Sequence, residues 1–401
     1  MATAFQTNSS GTDFSRPVGG GIPWYIWLTA LGVTSAMIGI HWDISWHRSI
    51  GRDTFWTPAH LAIQLCGVIA GITCGYLILW TTFTKSPMRD SSVGVLGFRG
   101  PLGAFVTAWG GFSMITSAPF DDWWHNAYGL DVKILSPPHI ILAVGIFGVA
   151  IGSLMLLAPK MNAAKLNAAK LNAAVGDDSK RLETLYLYLS GMLLIAGMSL
   201  VLEFSGRVVL HSASSYRTVC MLAPVTLAMA AGATGNRWAG SKVAGLYTVF
   251  LLGMLWILPL FPAQPKLGPV LHEVTHFVPN GFPLLLILPA LAQDLIRPRL
   301  VPWPTWRRAL VMGTVFFAVY LAVEWPFATF LQSPAARNPL FGSHYMEYFA
   351  SPRSYAATYT FAPLEKTANE FWSRMGQAWL AAILASWLGM VRGEWLGQVR
   401  R

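Results

Sequence analysis

Residues 43–80, DISWHRSIGRDTFWTPAHLAIQLCGVIAGITCGYLILW, contain the features that decide the fold of this chain. The stretch 61–80 has no charged residue and is long enough to cross the hydrocarbon core of a bilayer as an α-helix. Thr57-Pro58 is typical of a helix N-terminus, because threonine caps a helix and proline fits its first position. The segment therefore predicts a membrane helix that begins directly after a loop containing histidine and aspartate.

The whole chain of 401 residues has the same apolar character. Hydrophobic residues make up 54%, charged residues only 11%, and the mean hydropathy is +0.47. This composition excludes a disordered chain and a secreted disulfide scaffold, and the basic residues are too sparse for a nucleic-acid-binding face. Cys66, Cys74 and Cys220 lie in apolar runs and are expected to be packed thiols. The chain is expected to be an integral membrane protein whose first partner is the lipid bilayer.

Ten apolar stretches of about 20 residues predict an all-α, polytopic membrane helical bundle. They lie near 24–42, 56–83, 98–117, 137–158, 185–205, 216–234, 243–262, 279–296, 308–331 and 373–391. The predicted regions are a polar N-terminal tail (1–23), a duplicated helix-pair region (24–158), a cytoplasmic linker (159–184), a second helical half (185–331), a long extracytoplasmic loop (332–372), and a last helix with a basic tail (373–401).

The basic residues predict the orientation of the bundle. Of the 28 lysines and arginines, 18 fall on one side of the ten predicted spans, together with both termini. Because basic loops stay in the cytoplasm, both termini are predicted to be cytoplasmic in an inner membrane. Every histidine falls on the other, extracytoplasmic side: His41, His47, His60, His125, His139, His211, His272, His276 and His344.

An internal repeat lies within the first four predicted helices. The pattern Asp-x2-Trp-His-x3-Gly-x-Asp occurs at 43–53 and again at 121–131. Each copy is followed by Ser or Thr, then Pro-x-His, at the start of an apolar helix. Duplicated helix pairs commonly build a site between membrane helices, so the repeat predicts two related hairpins that converge on one site.

The repeated residues are suited to metal binding. An aspartate and a histidine four residues apart share one face of a helix, and imidazole with carboxylate is a ligand set for zinc, copper and non-haem iron. Trp46 and Trp124 are predicted to shield a bound cofactor from water. The candidate ligands are Asp43, His47, His60, Asp121, His125, His139, His272 and His276.

Asp43-x3-His47-x12-His60 resembles the Asp-x3-His-x12-His metal motif in the C subunit of the copper membrane monooxygenases, the particulate methane and ammonia monooxygenases. The resemblance covers about 18 residues, and the second repeat has thirteen residues between its histidines instead of twelve. It implies that Asp43, His47 and His60 bind a metal ion within the membrane, with copper favoured, close to a site of oxygen activation.

Two further groups are candidates for chemistry. His272-Glu273-Val274-Thr275-His276 has the HExxH form of zinc proteases. Alternatively, the pair supplies imidazoles to the site of the repeats or lies on an amphipathic helix. Glu203 and Glu324 lie near the outer ends of apolar spans, where an intramembrane carboxylate predicts a metal ligand or a proton relay. The alternative is a protonated acid bonded to the backbone.

These observations favour a metal-dependent membrane oxidoreductase of the oxygenase type, or a subunit of one. Copper is the expected metal, with iron and zinc as alternatives, and the partners would be an electron donor and other membrane subunits. Two other functions stay open: a redox subunit that binds haem b or quinol through histidines, and a metal or ion transporter with an outer vestibule of histidine and aspartate.

Overall fold

The computed structural model of the chain describes residues 21–51, 56–128, 136–170 and 176–400, apart from the side chain of Glu203. Most of the predicted N-terminal tail lies outside these residues. The repeat residues Asp53, Gly129 and Asp131 also lie outside them.

Most of the described residues are helical, and the fold is nearly all-α. A small antiparallel hairpin pairs β1 (Val93–Val95) with β2 (Phe98–Gly100). The α-helices are α1 (Trp24–Ser49), α2 (Pro58–Phe83), α3 (Leu102–Tyr128), α4 (Pro137–Lys170), α5 (Asp177–Leu200), α6 (Leu202–Ser205), α7 (Ala213–Thr234), α8 (Ala239–Ile257), α9 (Ile287–Leu300), α10 (Thr305–Leu331), α11 (Tyr355–Thr358) and α12 (Ala368–Leu396).

Six of these helices are long and apolar enough to cross a membrane: α2, α4, α5, α7, α8 with its short extension to Leu260, and α10. They coincide with six of the ten predicted spans, so the chain is a membrane protein with an all-α core. Cys66, Cys74 and Cys220 are buried and free, as predicted.

Glycines set the distance between the helices of the repeat. A Cβ atom added at Gly110 of α3 would lie 2.5 Å from the backbone nitrogen of Val149 and 2.6 Å from the carbonyl oxygen of Gly145, both on α4. At Gly111 it would lie 2.8 Å from the carbonyl oxygen of Gly67 on α2. Because apolar side chains gain little by leaving lipid, such backbone contact is a main source of attraction between membrane helices.

The same device joins α7 to α12 in the second half of the chain. A Cβ atom on Gly393 of α12 would lie 2.5 Å from the carbonyl oxygen of Met229 on α7. One on Gly389 would lie 2.3 Å from the carbonyl oxygen of Val225. The last helix is therefore packed into the bundle along a glycine face.

All nine histidines lie at one end of the bundle, where α1 and α3 finish and α2 and α4 begin. We call this the histidine end. The long segments 258–286 and 332–367 both lie at this end and contact each other. The Tyr348 carbonyl accepts hydrogen bonds from the amides of Leu271 and His272 at 2.8 and 2.9 Å. The Tyr348 amide donates to the carbonyl of Arg48 at 3.1 Å. The Lys266 amide donates to Ile50 at 2.9 Å. Both segments are thereby fixed to the end of α1.

At the opposite end, the predicted linker is largely helical. Helix α4 continues through the NAAKLNAAK near-repeat to Lys170. The side-chain amide of Asn162 donates to the carbonyls of Leu396 and Val399, both at 2.8 Å, and Lys165 donates to the carbonyl of Thr234. This part of the chain is thus packed against the C-terminal residues.

The eighth predicted span is wrong over its first half. Residues 277–285 have no helical structure, and α9 begins only at Ile287. Prolines at 279 and 283 explain the break, because proline has no amide hydrogen and disfavours a helical conformation in the residue before it. Non-helical backbone at membrane depth is tolerated only where protein groups satisfy it.

Side chains from neighbouring helices accept hydrogen bonds from the backbone amides of this extended segment. Ser49 Oγ accepts from the Val278 amide at 2.7 Å, and the Tyr247 hydroxyl oxygen accepts from the Leu284 amide at 3.3 Å. Glu324 Oε2 accepts from the Leu285 amide at 2.9 Å, and Glu324 is only 1% exposed. The intramembrane carboxylate on α10 therefore lies at the N-terminus of the half-length helix α9, where helix dipoles favour negative charge.

Substituting Gly110 with alanine tests the glycine packing. The added methyl group would overlap the backbone of α4, so Gly110→Ala is expected to lower the free energy of unfolding by about 1–3 kcal/mol in detergent or lipid discs. Gly75→Ala is the matched control, because nothing lies within 4 Å of a Cβ atom there. Equal melting temperatures for the two variants would show that α3 and α4 do not pack through glycine.

Glu324→Ala tests the role of the buried carboxylate. It leaves the Leu285 amide without an acceptor, so we expect a loss of about 1–3 kcal/mol of stability. Glu324→Gln keeps an acceptor oxygen and should lose less. Thermal unfolding of the purified variants in detergent measures both losses. A Glu324→Ala variant as stable as the wild type would contradict this role of the carboxylate.

Candidate metal centre

The first cluster consists of Asp43, His47 and His60. Helix α1 continues to Ser49, beyond the predicted span, and so places Asp43 and His47 on one face. Thr57 Oγ1 accepts from the His60 amide at 3.1 Å, which caps α2 as predicted and fixes His60 in its first turn. Asp43 Oδ2 then lies 3.5 Å from His47 Nε2, and Asp43 Oδ1 lies 3.2 Å from His60 Nε2.

The second cluster consists of Asp121, His125 and His139, and it repeats this geometry on α3 and α4. Asp121 Oδ1 lies 2.9 Å from His125 Nε2 and 3.4 Å from His139 Nε2. The two imidazole centroids are 6.4 Å apart, against 6.3 Å in the first cluster. The additional residue in the second loop therefore leaves the spacing of the two imidazoles nearly unchanged, although one oxygen of Asp121 faces both rings whereas Asp43 uses both of its oxygens.

The predicted caps of the two hairpins differ. Whereas Thr57 makes its capping bond, the buried Ser136 hydroxyl has no hydrogen-bond partner among the described residues. Helix α4 nevertheless begins at Pro137, and the Ser136 carbonyl accepts from the Ile140 amide at 2.9 Å. The start of α4, and with it the position of His139, is therefore fixed by Pro137 and by backbone hydrogen bonding, without a side-chain cap.

The residues of both clusters fit a metal ion. In each, one donor atom from each of the three residues lies within 4.8 Å of the other two. Donors bound to one ion at about 2.0–2.2 Å are roughly 3–4 Å apart, so small side-chain movements suffice. In the first cluster, one oxygen of Asp43 lies 3.2 Å from His60 Nε2 and the other lies 3.5 Å from His47 Nε2. Two imidazoles and one carboxylate leave coordination positions open.

Both clusters line a single cavity of about 680 Å³, which we call the intercluster cavity. All three residues of the first cluster and Asp121 and His139 of the second contribute to its wall. Helices α1 to α5 surround it. Most of the remaining lining is apolar and includes Ile40, Ile63, Leu142, Ile146, Phe147 and Leu200.

The loops of the histidine end cover this cavity. Tyr348 and Phe349 line it from segment 332–367, and Leu267 lines it from segment 258–286. Gly51 has φ +89°, and a Cβ atom there would lie 2.8 Å from the Tyr348 hydroxyl, so only glycine fits beneath Tyr348. Arg48, also on the wall, lies 3.6 Å from Glu347. These contacts place part of the long segment 332–367 against the cavity.

Gln64 is a cavity residue that sequence reasoning missed. It lies one turn after His60 on α2 and lines the cavity, and its amide oxygen is buried without a hydrogen-bond partner among the described residues. The corresponding residue of the second repeat is Ala143, which also lines the cavity. A lone polar residue four positions from a ligand on an apolar helix was the available signal.

His41 lies close to the first cluster in sequence but has a different role. Its Nδ1 accepts from the Asn280 amide at 2.7 Å. Its Nε2 lies 3.2 Å from Ser199 Oγ, which itself donates to the Ile195 carbonyl at 2.8 Å, so Nε2 carries the proton. Both ring nitrogens of this buried histidine are used in hydrogen bonds that join α1, α5 and the extended segment.

The structure does not bring His272 and His276 to either cluster. The HExxH segment is extended instead of helical, and the Pro262 and His276 backbones form an isolated β-bridge. His272, Glu273 and His276 are all exposed, while Val274 between them is buried. Because the two histidines are not one helical turn apart, the arrangement of a zinc protease is not formed here.

The other predicted site residues also lie elsewhere. Glu324 and the two tryptophans are not among the described residues that line the cavity. Trp46 packs against Trp42 and Phe277, and Trp124 packs against Phe120 and Tyr128. The side chain of Glu203, in α6, is outside the described part of the structure.

His211 has a packing role at the same end of the bundle. Its ring is stacked between Trp325 and Phe361, with centroids 4.0 and 3.7 Å away. Burial lowers the pKa of His211, although its contact with the Trp325 carbonyl at 3.0 Å acts in the opposite direction. A neutral ring suits this aromatic stack.

Comparisons of the chain with protein-family models, with curated proteins and with solved structures found no match. The functional interpretation therefore depends on the geometry of the two clusters and the cavity between them.

Proposed function

We propose that this protein is a membrane metalloprotein that holds two transition-metal ions and acts as an oxidoreductase of the oxygenase type, or as a subunit of one. The observation that carries the proposal is the pair of Asp/His/His clusters on the wall of one cavity. A structural ion would not need a cavity beside it. Two sites of the same composition, both open to the same apolar space, are suited to chemistry on a molecule bound there.

The clusters would hold the ions through His47 and His60 in one hairpin and His125 and His139 in the other, each with its aspartate. When bound, a transition metal with open positions supplies a Lewis acid and a route for electrons to oxygen. The resemblance of the first cluster to the copper membrane monooxygenase motif favours copper. Iron and zinc share the same donor preferences.

The chain's own residues would control access and environment. Tyr348 and Phe349 cover the cavity, and the isoleucine and leucine side chains around it keep its dielectric constant low. In such a setting each aspartate interacts more strongly with a bound cation than it would in water. An electron donor and other membrane subunits would be the partners of this activity.

The proposal includes a topology of about ten spans with both termini in the cytoplasm of an inner-membrane protein. The 18 basic residues on the side opposite the histidines support this orientation. Helices α1, α3, α9 and α12 would supply the spans beyond the six that meet the length and hydropathy criterion. The histidine end and both metal sites would then face the extracytoplasmic side.

Metal analysis of ligand variants tests this proposal. We expect two ions per chain in the wild type, one in His47→Ala and one in His125→Ala, because each variant removes a ligand from one cluster only. The double variant should bind none. His276→Ala is the matched control, since His276 is exposed and belongs to neither cluster.

Unchanged metal content in both cluster variants, with normal melting temperatures, would overturn the proposal. A Soret band in the purified protein that disappears in His47→Ala or His125→Ala would assign these histidines to haem instead.

A further inference from the structure

The intercluster cavity is much larger than two metal ions and a small gas molecule require. Its volume of about 680 Å³ lies in the range of about 300–1,000 Å³ found for pockets that enclose drug-sized ligands. A molecule the size of water takes up ~30 Å³, about a twentieth of this space. The volume therefore indicates a ligand of many non-hydrogen atoms.

The polar and apolar parts of the wall are separated. The two clusters and Gln64 lie at the start of α2 and α4 and the end of α1 and α3, next to the covering loops. Further along the helices the lining is mostly apolar and includes Ile40, Ile146 and Phe147, while the Ser117 hydroxyl there donates to the Met114 carbonyl of its own helix. A ligand that matches this wall has one polar end and a long apolar body.

In the metal-free protein the charges on the wall disfavour an acidic end group. Arg48 is the cationic residue among the described lining residues, and Glu347 lies 3.6 Å from it. Asp43 and Asp121 add two carboxylates to the same wall. The buried amide oxygen of Gln64 needs a hydrogen-bond donor, and an N–H or O–H group of a ligand can supply one after a small rotation of the amide.

We propose that the intercluster cavity binds a single-chain hydrocarbon compound of roughly ten to sixteen carbons with an uncharged, hydrogen-bond-donating end group, such as a primary alcohol. If each chain carbon takes up about the ~30 Å³ of a water molecule, such a compound fills roughly two-fifths to seven-tenths of the cavity of about 680 Å³. Gln64 and the two clusters receive the polar end. That this compound is the substrate rests on the proposed function. Its binding in the cavity requires no metal.

A photoaffinity experiment tests the binding site. The probe is a dodecanol that carries a diazirine on its chain, added to the full-length protein in lipid discs, and labelled peptides are identified by mass spectrometry. We expect labelling of the cavity faces of α2 and α4. Ala143→Phe fills the cavity and should reduce that labelling at least tenfold.

Val144→Phe is the matched control, because Val144 is the next residue on α4 and is 61% exposed on the outer surface. Cavity labelling of the Val144→Phe variant should equal that of the wild type. Equal cavity labelling in Ala143→Phe and Val144→Phe, or labelling only on lipid-facing side chains, would overturn the proposal. Melting temperatures establish that both variants are folded.

Competition experiments test the end group. In chelator-treated protein, unlabelled 1-dodecanol should displace the probe at a concentration several-fold lower than dodecane or dodecanoate, and Gln64→Leu should remove the advantage of the alcohol over dodecane. Stronger competition by dodecanoate, or an unchanged advantage in Gln64→Leu, would contradict the uncharged, donating end group.

Repeating the labelling after treatment with a chelator separates this inference from the proposed function. Labelling of the cavity in metal-free protein supports the binding site even if the wild type proves to hold no metal. Conversely, a protein with two bound ions and no cavity labelling would retain the proposed metal sites and lose the hydrocarbon ligand.

Discussion

An aspartate carboxylate at the end of an apolar helix bundle needs a cationic or hydrogen-bonding partner, and this requirement organises the first four helices. Asp43 and Asp121 each have two imidazoles within 3.5 Å, one from the same helix and one from the next. The partner on the next helix is held in place because proline starts that helix two residues earlier. Each hairpin thereby converts a short sequence motif into three converging donor atoms.

Close packing of the helices determines what surrounds these donors. Glycines allow α2, α3 and α4 to approach to backbone contact. Next to the aspartate and histidine side chains, however, helices α1 to α5 surround a space that is lined mostly by apolar side chains. Residues of the two long loops line this space at the histidine end, and Gly51 permits the approach of Tyr348 to α1. The two Asp/His/His clusters, the cavity and these loops are therefore parts of one arrangement.

The clusters could be predicted from the sequence because their geometry is local. Asp43 and His47 are one helical turn apart, and Thr57-Pro58 fixes the start of the helix that carries His60, so spacing alone brought the three residues together. The break in the eighth span depends on acceptors from distant parts of the chain, among them Ser49 and Glu324, which no local pattern reveals.

The other errors have the same origin. The HExxH pattern predicts helical spacing, but pairing of that segment with residues 261–263 keeps it extended. Trp46 and Trp124 share a repeat position with the clusters, but neither is among the described residues that line the cavity, and both pack against neighbouring aromatic rings. Gln64 was missed because its importance lies in a cavity that only the packing of five helices creates.

Anomalous diffraction from crystals of the protein loaded with copper tests the central claim most directly. The account predicts two anomalous peaks on the wall of one cavity, one within coordination distance of Asp43, His47 and His60 and the other of Asp121, His125 and His139. Peaks only at other residues, or no peak in crystals that contain copper in solution, would contradict it.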